Sequence, residues 1–135
     1  MTVKAALILS LAGIMLGMPT ARAAECPAQG NEAVEAALKA APTCDAAMTL
    51  FNACGTGSTP DVVFGQIVVA KCEAGFLAGL SASRRRAYER RRDACIARNA
   101  NESGTLFRAL RSICLAQLAQ TYAHRYAGKA RGRRK

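Results

Sequence analysis

The first apolar segment of the chain carries no charge: residues 5–18 contain only Ser10, Gly13 and Gly17 among apolar side chains. Lys4 precedes it, and Pro19 and Thr20 lead into Ala21, Arg22 and Ala23. A basic start, an apolar run and a small-x-small end, in that order, predict a secretory signal peptide over residues 1–23. At 14 residues (5–18) the run is short for a membrane span, which needs roughly 20. The next apolar stretch, 62–70, is interrupted by Gly65 and Gln66. No membrane span is therefore expected once the leader is cleaved.

From Asn31 the pattern turns helical. Asn31 is placed to cap, Glu32 and Glu35 sit early, and Ala33, Ala36, Ala37 and Ala40 favour helix until Pro42. A second helix is expected over 43–54, with Cys44, Met48 and Phe51 on one face. Residues 55–60 form a Gly- and Pro-bearing loop; its Gly-x-Gly lacks a following Lys, so it is not read as a phosphate cradle. Residues 62–69 are rich in Val and Ile and would suit a strand. The three-to-four spacing of Phe64, Ile67, Val68, Cys72 and Phe76 favours helix instead, with Gly79 as its stop. Ser81 or Ser83 caps a helix running to Arg98, and residues 99–104 turn the chain. The last helix is expected over 105–126, with Leu106, Leu110, Ile113, Cys114, Leu118 and Thr121 on one side. Residues 128–135 read as a disordered basic tail.

Composition shows why such a domain needs help to stay folded. Cleavage leaves 112 residues (24–135), rich in Ala, without Trp and with few aromatics. Six cysteines, Cys26, Cys44, Cys54, Cys72, Cys95 and Cys114, all follow the leader. An even set in an exported chain is a disulfide framework, with 15 pairings open. A zinc site is excluded by spacing, since no C-x-x-C occurs and His124 is the sole histidine. No cofactor is implied.

Charge supplies the first functional lead. Removing Lys4 and Arg22 leaves 17 basic residues against 9 acidic ones, so the mature chain carries 17 − 9 = +8. Arg84, Arg85, Arg86, Arg90, Arg91 and Arg92 crowd one helix, and Arg98 lies a little further on. At 100° per residue Arg84, Arg91 and Arg98 share a stripe, with Arg85 and Arg92 near it. Local pairs such as Arg85–Glu89, Glu89–Arg92 and Arg90–Asp93 would stabilise the helix, each by about 0.2–0.5 kcal/mol. Two acids cannot neutralise seven arginines, so an acidic partner is indicated. Nucleic acid is not favoured, because the leader exports the chain and no nucleic-acid module is present. Lipopolysaccharide phosphates, cell-wall polyanions or an acidic protein cleft fit better. Catalysis has little to build on. His124 is a lone helical histidine read as a surface residue, and Glu89 and Asp93 lie among arginines, the wrong setting for a proton-shuttling pair.

The stretch 80–95, Leu-Ser-Ala-Ser-Arg-Arg-Arg-Ala-Tyr-Glu-Arg-Arg-Arg-Asp-Ala-Cys, is followed after a turn by Cys-Leu-Ala-Gln-Leu at 114–118. Together they resemble the core of the LprI-type lysozyme-inhibitor family of small exported bacterial domains. In that resemblance Tyr88 stands where the family has Trp, Arg92 and Asp93 form its Arg-Asp pair, and Cys44 and Cys54 match earlier cysteines. It also implies a Cys95–Cys114 bond, which geometry permits only if the second helix crosses at an angle or starts late. The expectation is a small all-α, disulfide-stapled domain over 24–127, ending in a helical hairpin. Its location would be periplasmic or secreted, and its role non-catalytic binding. The partner would be a protein, a cell-wall hydrolase among the candidates, or an anionic envelope polymer. Arg84, Arg85, Arg91, Arg92, Arg98 and Tyr88 are the expected contact residues.

Overall fold

Glycine opens the first helix. Gly30 adopts φ 84°, a left-handed turn without steric cost to glycine, and α1 follows as Asn31–Ala40. Asn31 is thus the first helical residue, and no side chain caps the start, contrary to the role expected for it. The structure, a computed structural model, describes residues 25–131 and side-chain surroundings for residues 25–126. The expected signal peptide lies outside the described residues. Helix α1 buries Val34 and Leu38 and stops short of Pro42. Helix α2, Cys44–Cys54, is capped by Thr43, whose hydroxyl accepts the Ala46 N–H at 3.1 Å. It buries Ala47, Met48, Phe51 and Cys54.

Helix α3, Pro60–Glu73, answers the strand-or-helix question: periodicity prevails over β-branched propensity. Phe64, Val68 and Cys72 fall on one buried stripe, which a strand would have split between two faces. The helix ends six residues before Gly79. Gly75 weakens its continuation, and Phe76 leaves the helical path to enter the core, followed by a single 3-10 turn at Leu77–Gly79. At the other end of α3 the fully buried Asp61 carboxylate accepts N–H groups from Thr56, Gly57 and Ser58 at 3.0, 2.6 and 3.3 Å. The amides of the glycine-bearing loop are therefore occupied by the chain's own carboxylate.

Ser81 caps α4, Ala82–Ala97, and Gly104 at φ 110° closes the turn into α5, Thr105–Arg131. Helix α5 extends past the expected 126 into the stretch read as a loose tail. Ala127, Lys129, Ala130 and Arg131 are all good helix formers. Residues 132–135 lie outside the described residues. Its buried stripe also differs from the expected one: Ala109, Ser112, Ala116, Ala119, Tyr122 and Ala123 face inward, while Leu106 and Leu110 are exposed. Among the described residues every regular element is helical, and the fold is all-α.

All six cysteines are paired, as Cys26–Cys54, Cys44–Cys72 and Cys95–Cys114. With sequence separations of 28, 28 and 19, each stabilises the fold by about 3–4 kcal/mol in the chain-entropy account. The first two interlock across the lead-in, α2 and α3. The third ties α4 to α5 in a C-terminal hairpin, and it is the bond the resemblance implied. The lag in register is met by a late meeting: α5 runs about two and a half turns before its disulfide to α4.

No disulfide joins α1–α3 to α4–α5, so that union is made by packing. Gly65 lies close against α5 there. A Cβ at Gly65 would overlap the Ser112 hydroxyl and lie 3.1 Å from both Ser112 Cβ and the Ser112 backbone oxygen. The same hydroxyl donates to the Val62 carbonyl at 3.2 Å. Gly65→Ala is expected to cost about 1–3 kcal/mol, seen as a lower thermal midpoint of the oxidised protein. Adding Ser112→Ala should recover only part of the loss, because the backbone oxygen stays in place. A Gly65→Ala protein that melts with the wild type would disprove this packing.

Candidate binding surface on the arginine-bearing helix

Helix α4 buries only Tyr88 and Cys95. The rest of it is exposed or half-buried, and its arginines sort by what the neighbouring segments offer them. Arg85, half-buried, donates to the Leu77 carbonyl at 2.9 Å. Arg92, also half-buried, pairs with Glu73 at 3.4 Å and lies 5.8 Å from the centre of the Tyr88 ring. Arg84, at the start of the helix, sits 5.3 Å from the centre of the Tyr126 ring, which orders its stem against α5. Arg86, Arg90, Arg91 and Arg98 are exposed, and among the described residues none of them pairs with a carboxylate.

The pairs expected along α4 do not form among the described residues. Arg85 and Arg92 turn away from Glu89, toward acceptors on the segment that follows α3 and on α3 itself. Those acceptors are fixed by tertiary packing, whereas an exposed intrahelical pair must order two long side chains for a few tenths of a kcal/mol.

Tyr88 is not a contact residue of this surface. It is 1 % exposed, edge-on to Phe76 at 5.2 Å and tilted against Tyr122 at 4.7 Å. Its hydroxyl donates to Glu73 Oε1 at 2.8 Å. Of the six expected contact residues, Arg84, Arg91 and Arg98 are exposed, Arg98 just past the end of α4. Arg85 and Arg92 are tethered, and Tyr88 is core. Glu73 had no role in the sequence reading, yet it organises both Tyr88 and Arg92. As the only acid between Asp61 and Glu89, it was the one available signal.

A second polar cluster lies away from α4. Asp45, at the start of α2, accepts from Gln120 at 2.6 Å and meets His124 Nε2 at 2.5 Å. Gln120 first, then His124, holds the Asp45 carboxyl below its usual range. All three contribute to latching α2 onto α5. His124 is exposed, as the sequence reading had it. Beside Arg92, an open groove of about 320 Å³ runs between α3, α4 and α5, with Glu73 and Ser112 on its wall. Among the described residues no group of three His, Cys, Asp or Glu side chains is placed to hold a metal ion, and no helix is long and apolar enough to cross a membrane.

No family model, no curated protein and no solved structure matches the chain. The functional reading rests on the geometry above.

The Tyr88 environment makes a pH prediction. Burial first, then the hydrogen bond to Glu73, pushes the phenol pKa well above its ordinary value of 10.0. A pKa raised on folding stabilises the fold fully below pH 10 and loses that contribution as pH rises through the range above it. Tyr88→Phe should therefore be about 1 kcal/mol less stable at pH 8, through its lost hydrogen bond. The gap should narrow above pH 10 in urea unfolding. Parallel pH profiles for the two proteins would refute the assignment.

Proposed function

We propose that this is an exported, non-catalytic binding protein that uses α4 to hold an anionic polymer of the cell envelope, such as lipopolysaccharide phosphates or cell-wall polyanions. One observation carries the reading. A helix anchored through Tyr88 and the Cys95–Cys114 bond leaves Arg84, Arg86, Arg90, Arg91 and Arg98 exposed, with no carboxylate paired to them among the described residues. Arg84, Arg91 and Arg98 recur every seven residues, roughly 10.5 Å apart along the axis. Repeated cations on a rigid rod suit a repeating anion, since the helix fixes the spacing of the charged residues before any contact is made. Three disulfides accord with an oxidising compartment and with the expected leader.

A second reading, an LprI-like inhibitor that meets a protein such as a cell-wall hydrolase, is favoured by the Cys95–Cys114 pairing that the resemblance implies. It draws less from the surface. The aromatic residue that would stand in the family's Trp position is buried beneath the arginines and has nothing to offer a partner.

Binding of the oxidised protein to lipopolysaccharide, followed across a salt series, tests the first reading. Affinity should fall steeply with salt as counterions are released. The triple variant Arg84→Gln, Arg91→Gln, Arg98→Gln should bind at least about tenfold more weakly and show a shallower salt slope. A triple variant that binds as the wild type does would end this reading. In parallel, lysozyme lysis of cell-wall suspensions at moderate salt separates the two readings. Inhibition by the folded protein, but not by a polycation of matched charge or by the reduced protein, would move the conclusion to the second.

A further inference from the structure

Neither the packing of the helices nor the exposed arginines uses the groove beside Arg92. One stripe of α3 forms its side, from Gly65 through Val69 and Ala70 to Glu73, with the exposed Gln66 next to it. Ser112 and Leu115 of α5 and Arg92 of α4 line the rest, around a volume of about 320 Å³. Small-molecule sites begin at roughly 300 Å³. From Gly65 to Glu73 the helix rises about 12 Å, a length that an extended peptide of about three residues also spans. The Ser112 hydroxyl donates to the Val62 carbonyl, so it has no proton left to offer a ligand.

The polar end of the groove is ordered but not saturated. Arg92 lies over the Tyr88 ring and 3.4 Å from Glu73 Oε1, yet among the described residues its guanidinium donates no hydrogen bond. A guanidinium carries five N–H donors in a fixed fork, and those of Arg92 are left for an outside acceptor. Glu73 is half used, because Tyr88 and Arg92 both meet its Oε1. Among the described residues no unbonded side-chain oxygen is buried, so Glu73 Oε2 is accessible too. A donor fork and an acceptor therefore stand side by side, next to walls of Val69, Ala70 and Leu115. An inorganic anion would leave those walls unused. A fatty carboxylate would face Glu73 with nothing to donate, and a neutral saccharide would bring no charge to the fork. The carboxyl end of a peptide meets all three demands, with an anion, an amide N–H and apolar side chains in sequence.

We propose that this groove binds the carboxyl end of a short peptide with small apolar side chains. Arg92 takes the terminal carboxylate in its fork, Glu73 accepts the last amide N–H, and the Gln66 carboxamide meets a peptide group further back. About three residues sharing about 320 Å³ must carry small side chains, which lie against Val69, Ala70 and Leu115. The Arg92 side chain is already ordered by Tyr88 and Glu73, so binding costs it little further freedom. The site shares no residue with the exposed arginines assigned to the polymer, and it does not rest on that reading.

Fluorescence anisotropy of dansyl-Gly-Ala-Ala added to the oxidised protein tests the site. Saturable binding is expected, and the carboxyl-terminal amide of the same probe should bind at least about tenfold more weakly, having lost the charge that the fork pairs with. Ala70→Leu fills the slot from an exposed helical position, so its helical circular dichroism and lipopolysaccharide affinity should match the wild type. Its affinity for the probe should fall at least about tenfold. In the wild type the backbone amide NMR signals that move on adding the probe should cluster at Gln66, Ala70 and Leu115. No saturable binding up to about 10 mM probe, or probe and amide bound within about twofold of each other, overturns the proposal. Wild-type affinity in Ala70→Leu, or NMR shifts confined to other residues, also overturns it by placing the contact elsewhere. Displacement of the probe by a neutral disaccharide overturns it too, and assigns the groove to carbohydrate.

Discussion

The close approach of Gly65 to Ser112 joins two parts that no disulfide links. Two interlocking disulfides hold the lead-in, α2 and α3, and a third holds α4 to α5. Each part is constrained internally, and neither disulfide set restricts how the parts meet. Packing does that, together with side-chain bonds such as Ser112 to the Val62 carbonyl, Tyr88 to Glu73 and Gln120 to Asp45. The small residues Gly65, Ala109, Ser112, Ala116 and Ala119 bring α3 and α5 close, and Phe76, Tyr88 and Tyr122 fill the space where they diverge. Such a contact tolerates almost no change of volume, because backbone lies directly beneath the side chains. An alanine-rich core is thus a requirement of the fold and not a deficiency of it.

The position of α4 follows from that arrangement. A helix with six arginines in its interior repels itself and would gain little from isolated propensity. It is held from outside itself. Tyr88 enters the aromatic group that Phe76 and Tyr122 complete, Glu73 accepts from Tyr88 and attracts Arg92, and the Cys95 bond fixes the far end. Arg85 bonds to the Leu77 carbonyl just after α3. Two arginines therefore serve the fold, and their tethering separates them from those left facing outward. The division between structural and solvent-facing arginine is set by what α3 and the segment after it present, not by anything within α4.

That dependence explains which features were legible in the sequence. Helix positions, a serine cap before α4, the glycine-bearing loop and the all-α class were readable because each is a local pattern or a count. The stop of α3 at Glu73 was not, since it depends on Phe76 finding Tyr88 and Tyr122, residues 12 and 46 positions further along. The buried stripe of α5 was misjudged for a related reason. Leucine spacing selected Leu106 and Leu110, but close helix approach places the alanines inward and leaves those leucines outside. Tyr88 looked like part of a charged surface because its neighbours in sequence are charged. Its burial depends on α5 and the segment after α3, which the sequence of α4 does not contain. The arginine stripe itself was legible, whereas the removal of Arg85 and Arg92 from it was not.

One consequence concerns the relation between stability and charge. A small apolar core works against the repulsion within a mature chain of charge +8. The disulfides act mainly on the unfolded ensemble, and their contribution is independent of what the surface carries. The fold can therefore present a row of exposed cations at one helix. That row does not stabilise it, and persists because three covalent closures and one tight helix contact carry the stability elsewhere. Surfaces that a fold does not need for its own stability are the ones left to meet a partner.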